Sequence, residues 1–255
     1  MSAPGIDLEA AAKAASAAAD AARREILPRF RRVATETKAD GSPVTEADRA
    51  AERAMRAVLR SFDASLGILG EEYGQEGNAE RGWLLDPIDG TIAFSRGIAL
   101  FTTLIALVEN GEPVLGLIDV PALDERYLGF RGAGVRRNGE PVHVSSETDL
   151  RRAIIATGDP FQFDRFAARD AYRRMSSELP LLRGYTDAFG HSQVLHGGIG
   201  AMVDPGIHPW DAAPSQILVP EAGGRCVTLD RRAEGRGVGL VFGSPALVEQ
   251  LLDYF

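Results

Sequence analysis

Six consecutive residues, Asp86-Pro87-Ile88-Asp89-Gly90-Thr91, concentrate the chemistry of this chain. Asp86 and Asp89 offer the hard carboxylate oxygens that magnesium prefers. Pro87 fixes its own φ and lacks an N–H, which frees the Ile88 carbonyl to turn toward the same cation. Gly90 lets the backbone approach a ligand closely. A helix starting at Thr91 would aim the N–H groups of Gly90 and Thr91 at a phosphate. Together the six residues read as a magnesium-phosphate site. Asp, Pro and Gly are also ordinary turn residues, so the competing reading is a strand that ends in a tight turn.

Further carboxylates lie where neighbouring elements should converge. Glu71 follows the apolar run 66–70, so it can stand beside the end of the run 82–86 that carries Asp86. Asp211, in Pro209-Trp210-Asp211, opens a helix; taken alone, it reads as an N-cap that satisfies helix N–H groups without any metal.

These residues need elements to hold them. The Ala-rich stretch from Asp7 to about Val33 reads as one long surface helix capped by Asp7 and bent at Pro28. A second helix runs from Glu46 to about Phe62, capped by Thr45, with Ala47, Ala50, Ala54, Val58 and Leu59 inward. Lys38-Ala39-Asp40-Gly41-Ser42-Pro43 is a loop between them. Apolar runs at 66–70, 82–86, 100–108 and 113–120 are strands, with hairpin turns at Asn110-Gly111 and Asn138-Gly139. Beyond about Leu150 short strands alternate with helices: strands at 153–157, 181–184, 200–203, 225–229 and 238–242, and helices near 164–178 and 188–197, from Asp211, and from Pro245 to the end. The texture is α/β following α+β: an N-terminal half over 1–147 that binds metal and a C-terminal half over 148–255 that completes the active site.

Composition excludes several classes. A formal charge of −8, from 36 acidic and 28 basic residues, opposes a nucleic-acid-binding role. The Arg pairs are scattered and read as solvated faces. The only cysteine, Cys226, allows no intrachain disulfide and reads as a small core residue. No window resembles a membrane span, and charges interrupt the amino-terminal Ala-rich run where a secretory signal would need an apolar segment, so the expected location is cytoplasmic. The four histidines, His143, His191, His196 and His208, lack zinc-site spacing.

The order Lys38…Thr45-Glu46-Ala47-Asp48, Gly70-Glu71-Glu72, Asp86-Pro87-Ile88-Asp89-Gly90-Thr91-Ile92-Ala93-Phe94, Trp210-Asp211 and Glu221-Ala222-Gly223-Gly224 resembles the inositol monophosphatase family of magnesium-dependent phosphatases across about residues 35 to 245. The resemblance implies a layered α-β-α-β-α sandwich of the inositol monophosphatase and fructose-1,6-bisphosphatase type, usually a homodimer. It implies that Glu71, Asp86, the Ile88 carbonyl, Asp89 and Asp211 hold two magnesium ions, with Asp48 and Lys38 near a third, weaker site. Glu71 and Thr91 would position an attacking water, and Asp48 would orient the Thr91 hydroxyl. Four carboxylates around one cavity would repel each other and a phosphate unless cations sat among them, which independently favours metal.

The second half should choose the ester. Arg183-Gly184-Tyr185-Thr186-Asp187, then Met202-Val203-Asp204 and Trp210-Asp211, look most like the histidinol-phosphate phosphatases of this family. Substrate contacts are therefore expected from Gly90, Thr91, Arg183, Asp187, Asp204 and Asp211. Asp187 and Asp204 could pair with the cationic amine of histidinol phosphate; Asp187 reads equally as an N-cap of helix 188–197. Two departures from the family pattern are Gly200, where an acidic residue is common, and the apolar pair Ile92-Ala93. Inositol 1-phosphate is the second expected substrate and a 3′(2′),5′-bisphosphate nucleotide the third. A catalytically silent binding protein on the same fold is the alternative of another class.

Overall fold

A computed structural model describes residues 5–32, 34–37, 43–78, 80–229 and 237–255. The loop around Lys38 lies outside the described residues, so the expectation for Lys38 is not addressed by it.

Helices α1 (Leu8–Ile26) and α2 (Glu46–Phe62) form one outer layer. Asp7 caps α1 by accepting from the Glu9 and Ala10 N–H groups, both at 3.1 Å. The helix ends earlier than expected. A 3-10 turn over Leu27–Arg29 replaces its last stretch at Pro28. Buried alanines let α1 and α2 approach closely: Ala11, Ala15, Ala18 and Ala22 share a core with Ala47, Ala51 and Met55.

The short strands β1 (Thr35–Thr37) and β2 (Pro43–Thr45) pair with each other. The main sheet contains β3 (Gly67–Gly70), β4 (Gly74–Glu76), β5 (Arg81–Asp89), β6 (Thr102–Glu109), β7 (Glu112–Val120), β8 (Glu125–Phe130), β9 (Val135–Arg137) and β10 (Glu140–Val142), with helix α3 (Thr91–Ser95) between β5 and β6. Its order is β10-β9-β8-β7-β6-β5-β3-β4, and only the β3–β5 pair is parallel. Both central faces are covered. On β6, Ile105 and Leu107 meet the α1–α2 layer while Leu104 packs on the opposite side. This double burial explains why the strand reads as an unbroken apolar run. Asn110 and Asn138 take left-handed φ of 56° and 50° in the two hairpin turns, as the Asn-Gly pairs predict.

The remaining elements are β11 (Ile155–Thr157), α4 (Pro160–Arg165), α5 (Arg169–Glu178), β12 (Leu182–Arg183), α6 (Asp187–Leu195), β13 (Ala201–Ile207), α7 (Pro209–Glu221), β14 (Arg225–Leu229), β15 (Val238–Gly243) and α8 (Pro245–Leu252). Their sheet runs β12-β11-β13-β15-β14. Helices α6 and α7 fill the space between the sheets: Ala188, Val194 and Leu218 pack with Leu104 and Ile118 on one side and Met202 and Phe242 on the other. Helices α4, α5 and α8 cover the outer face through Phe163, Met175, Leu247 and Val248. The result is the expected α-β-α-β-α sandwich. The helix expected near 164–178 is two helices, because Ala167 adopts φ 53° and breaks the run. Among the described residues no helix is long and apolar enough to cross a membrane.

Candidate metal centre

Asp86 and Asp89 sit three residues apart, a spacing that would send them to opposite faces of a regular strand. A bulge corrects this. Asp86 pairs with Leu104 and Asp89 with Thr102, so Pro87 and Ile88 together oppose the single residue Thr103. The Thr103 hydroxyl donates to the Pro87 carbonyl at 2.8 Å, and the Ile88 N–H donates to Asp86 Oδ1 at 2.9 Å. Ile88 itself is fully buried and anchors the bulge. Gly90 follows at φ 85°, and a Cβ there would press on the Leu100 carbonyl at 3.0 Å.

Asp211 arrives from α7. It is not the N-cap, as its sequence position first implies. His208 caps the helix, and Asp211 at the third helical position reaches back to accept the His208 N–H through Oδ2 at 3.0 Å. Asp211 Oδ1 is buried and has no hydrogen-bond partner among the described residues. One oxygen from each of Asp86, Asp89 and Asp211 lies within 4.8 Å of the others. Burial raises all three carboxyls well above their ordinary range, and neighbouring negative charges raise them further. The charge of Glu71 is foremost for Asp86 and Asp211, and that of Asp187 for Asp89.

A hard divalent cation fits this donor set. It would let the three groups stay ionised and would give Asp211 Oδ1 the partner it lacks. Glu71 stands outside the tight trio. Its backbone N–H donates to the Leu85 carbonyl at 3.1 Å, which fixes it beside the end of β5.

Asp48 approaches from the first turn of α2. Thr45 caps that helix at the Ala47 N–H, and its own N–H and hydroxyl both donate to Asp48 Oδ2, at 2.8 and 2.6 Å. Asp48 Oδ1 then faces the Thr91 hydroxyl at 3.2 Å, while the Ile88 carbonyl is 3.0 Å from that hydroxyl. Burial raises the Asp48 carboxyl, partly offset by the Thr45 bonds.

The second half contributes unevenly. Asp187 takes a left-handed φ of 57° and is the first residue of α6; its cap is Thr186, so Asp187 is not the N-cap. Its carboxylate accepts from the Thr186 hydroxyl at 3.1 Å and comes against Gly90. The α6 amide that needs an acceptor instead finds Asp89, whose Oδ2 takes the Ala188 N–H at 2.5 Å and the Thr102 hydroxyl at 3.1 Å. Asp204 is buried on β13. It faces His191 Nε2 at 3.5 Å, and His191 Nδ1 meets the Ser215 hydroxyl at 2.8 Å. Sequence reasoning does not reach this Asp204–His191–Ser215 row, because its members lie on β13, α6 and α7 and only tertiary packing brings them together. Arg183 is not brought to the site. It is exposed on the edge strand β12 and lines a surface cavity with Asp149, Tyr172 and Tyr254. Gly200 also lies apart, packed where a Cβ would strike Leu247 and Ala153.

Other features compete poorly. Burial pushes the Cys226 thiol up to about 12, which removes it as a thiolate nucleophile at neutral pH. A cavity of about 600 Å³ between α1 and β8 contains Arg23 and Arg126, but both already pair with the buried Asp119 at 2.7 Å.

Comparison with known proteins identifies a family. The model of the inositol monophosphatase family matches residues 6–251. A histidinol-phosphatase of Chlorobaculum parvum is 35% identical over 249 residues, covering 96% of this chain and 93% of the relative. One from Streptomyces coelicolor is 33% identical over 247 residues, covering 92% and 93%. Among solved structures, an inositol monophosphatase from Zymomonas mobilis superposes with a TM-score of 0.84 at 35% identity, over 98% of this chain and 99% of that one. The bulged carboxylate strand, the helix that returns Asp211 to it and the match over nearly the whole length have one explanation: the chain is a phosphatase and belongs to the inositol monophosphatase family.

Proposed function

We propose that the chain is a magnesium-dependent phosphomonoesterase that converts histidinol phosphate to histidinol. The observation that carries the choice of ester is Asp187, a half-buried carboxylate set against Gly90 beside the metal trio. There it can meet an amine by a charge-assisted hydrogen bond. The names of the two relatives above support the same choice. Asp204 serves behind it, adding negative charge that Asp187 feels. Gly90 and Thr91 offer the phosphate their backbone N–H groups.

Glu71, Asp86, the Ile88 carbonyl, Asp89 and Asp211 would hold two magnesium ions. The chemistry magnesium supplies when bound is Lewis acidity toward the phosphate oxygens and relief of their repulsion by the carboxylates. The chain's own residues orient the water and handle its proton. Thr91 Oγ1 gives its single proton toward Asp48 Oδ1 and keeps lone pairs to accept one from the water. Asp48 cannot turn away, because Thr45 holds its other oxygen. Burial raises the Asp48 carboxyl, which suits it to receive that proton. Glu71 orients the same water. The water oxygen forms the new P–O bond as the ester P–O bond breaks, the leaving alkoxide takes a proton from solvent while Asp48 returns its own to solvent, and no side chain becomes phosphorylated. By the family resemblance we propose a homodimer, and we propose a cytoplasmic location for it.

The Zymomonas mobilis structure favours a second reading, inositol monophosphate hydrolysis. Phosphate release from histidinol phosphate, inositol 1-phosphate and 3′-phosphoadenosine 5′-phosphate, with and without Mg²⁺, separates them. Histidinol phosphate is expected to have the highest kcat/KM. Asp187→Ala should raise its KM about tenfold, as loss of a charge-assisted hydrogen bond predicts. The KM for inositol 1-phosphate should stay within about twofold. Equal effects on both esters would remove Asp187 from substrate recognition, and preferred turnover of inositol 1-phosphate would overturn the choice of ester.

A further inference from the structure

A buried ion pair beneath the site has no part in the mechanism above. Glu52 is fully buried on α2 and pairs with Arg56 one turn later, Nε to Oε1 at 2.7 Å. A buried pair of this kind is weak evidence of stabilisation, since desolvating two charges offsets most of their attraction. What it holds is more informative. Glu52 Oε2 accepts the Glu72 N–H at 2.7 Å, and Oε1 accepts the Tyr73 N–H at 3.3 Å. Arg56 donates to the Gly74 carbonyl at 2.6 Å and to Glu76 at 3.3 Å. The pair therefore grips the turn between β3 and β4 on its far side. Glu71, the first residue of that turn, is tied on its near side to Leu85 of β5. Gly70, just before it, must lack a side chain, because a Cβ there would overlap the Glu52 carboxylate.

We propose that Glu52, neutralised by Arg56, is a positioning residue for Glu71: it fixes the β3–β4 turn so that the Glu71 carboxylate is presented to the metal trio. The same helix thus sets both sides of the water site, with Asp48 near its start and Glu52 one turn on. Helical neighbours four residues apart share a face, and here both carboxylates of that face point inward. The inference rests on Glu71 belonging to the metal centre, and the test separates the two.

Glu52→Gln keeps the side-chain shape and one acceptor but loses the charge and one of the backbone bonds. Gly70→Ala removes no charge but displaces the Glu52 carboxylate. Glu71→Gln reports on the metal centre itself. Binding of Mg²⁺ alone is measured by calorimetry, beside kcat, KM and the Mg²⁺ midpoint of activity, each well below the variant's melting temperature. Loss of an outer supporting contact typically costs about 10- to 100-fold in metal affinity or activity. Glu52→Gln and Gly70→Ala are each expected to weaken Mg²⁺ binding and lower kcat within that range, with the KM for the ester changed less than about threefold. A merely structural role would lower the melting temperature and the active fraction while leaving the Mg²⁺ midpoint of the folded protein where it was, and that result overturns the proposal. So would failure of both variants to fold, which would place the pair in the fold alone. If Glu71→Gln itself leaves Mg²⁺ binding and turnover intact, the metal-centre reading of Glu71 fails instead.

Discussion

Asp89 carries two duties through one carboxylate. It belongs to the cluster that calls for a cation, and it accepts the Ala188 N–H at the start of α6. Asn in its place keeps a carbonyl oxygen for the amide and removes a charge that burial disfavours. Asp89→Asn should therefore lose turnover by about 10²–10³-fold or more, the scale of losing one electrostatic contact to the transition state. The metal-free protein should melt no lower than the parent. Undiminished Mg²⁺-dependent phosphate release would sink the assignment of Asp89. Asp86 and Asp89 were legible as candidate cation ligands because hard-cation chemistry demands particular residue types, whereas Asp211, read alone as an N-cap, joined them only through the family resemblance. The placements of Asp187 and Arg183 were less legible. A left-handed aspartate and an edge strand that turns away are decided by tertiary packing, which leaves no local mark.

At the scale of elements, the bounds of α2 were readable, but its inward stripe was only partly so: Ala54 and Val58 are half-buried, while Ala51 and Met55 are buried. Thr45 ahead of a helical apolar stripe predicts the observed start at Glu46. Its charged face was not readable, because Asp48, Glu52 and Arg56 have the spacing of an ordinary solvated surface, yet all three are buried. Thr45 joins the helix to the chemistry. Thr45→Ala should cost about 1 kcal/mol of stability through the lost cap. It should also lower kcat beyond that, because Asp48 is freed, and Thr45→Ser should restore both. Urea unfolding beside steady-state kinetics reads the two effects. A loss of stability with unchanged kcat would detach Asp48 from the water site.

For the whole molecule, the raised carboxyls of Asp86, Asp89 and Asp211 set a pH dependence. Each group binds its proton more tightly folded than unfolded. The stability of the metal-free protein therefore falls as pH climbs above the unfolded carboxylate range, about 4, through the raised folded values. A divalent cation replaces those protons, so its stabilising effect must grow with pH. At a hundredfold excess over Kd, binding adds about 2.7 kcal/mol. Calorimetric scans with Mg²⁺ and with EDTA should differ more at pH 8 than at pH 5. An equal or larger shift at pH 5 would contradict the cluster as a metal centre. The order of apolar runs showed an α+β half followed by an α/β half, and the layered sandwich was reached only through the family resemblance. The packing of α6 and α7 between two sheets was not legible, since their apolar faces do not say which sheet each meets.

The bulge in β5 bears on how such a site can change by mutation. Only the backbone of residue 88 is asked to face the ligands, so other buried apolar side chains that fill the same space are accessible by single substitution. Removing one residue from Pro87-Ile88 would restore a regular ladder and throw Asp89 to the opposite face of the sheet. Chain length between the two aspartates thus constrains the site more tightly than the side chain at 88 does, and a deletion there would have no gradual route back.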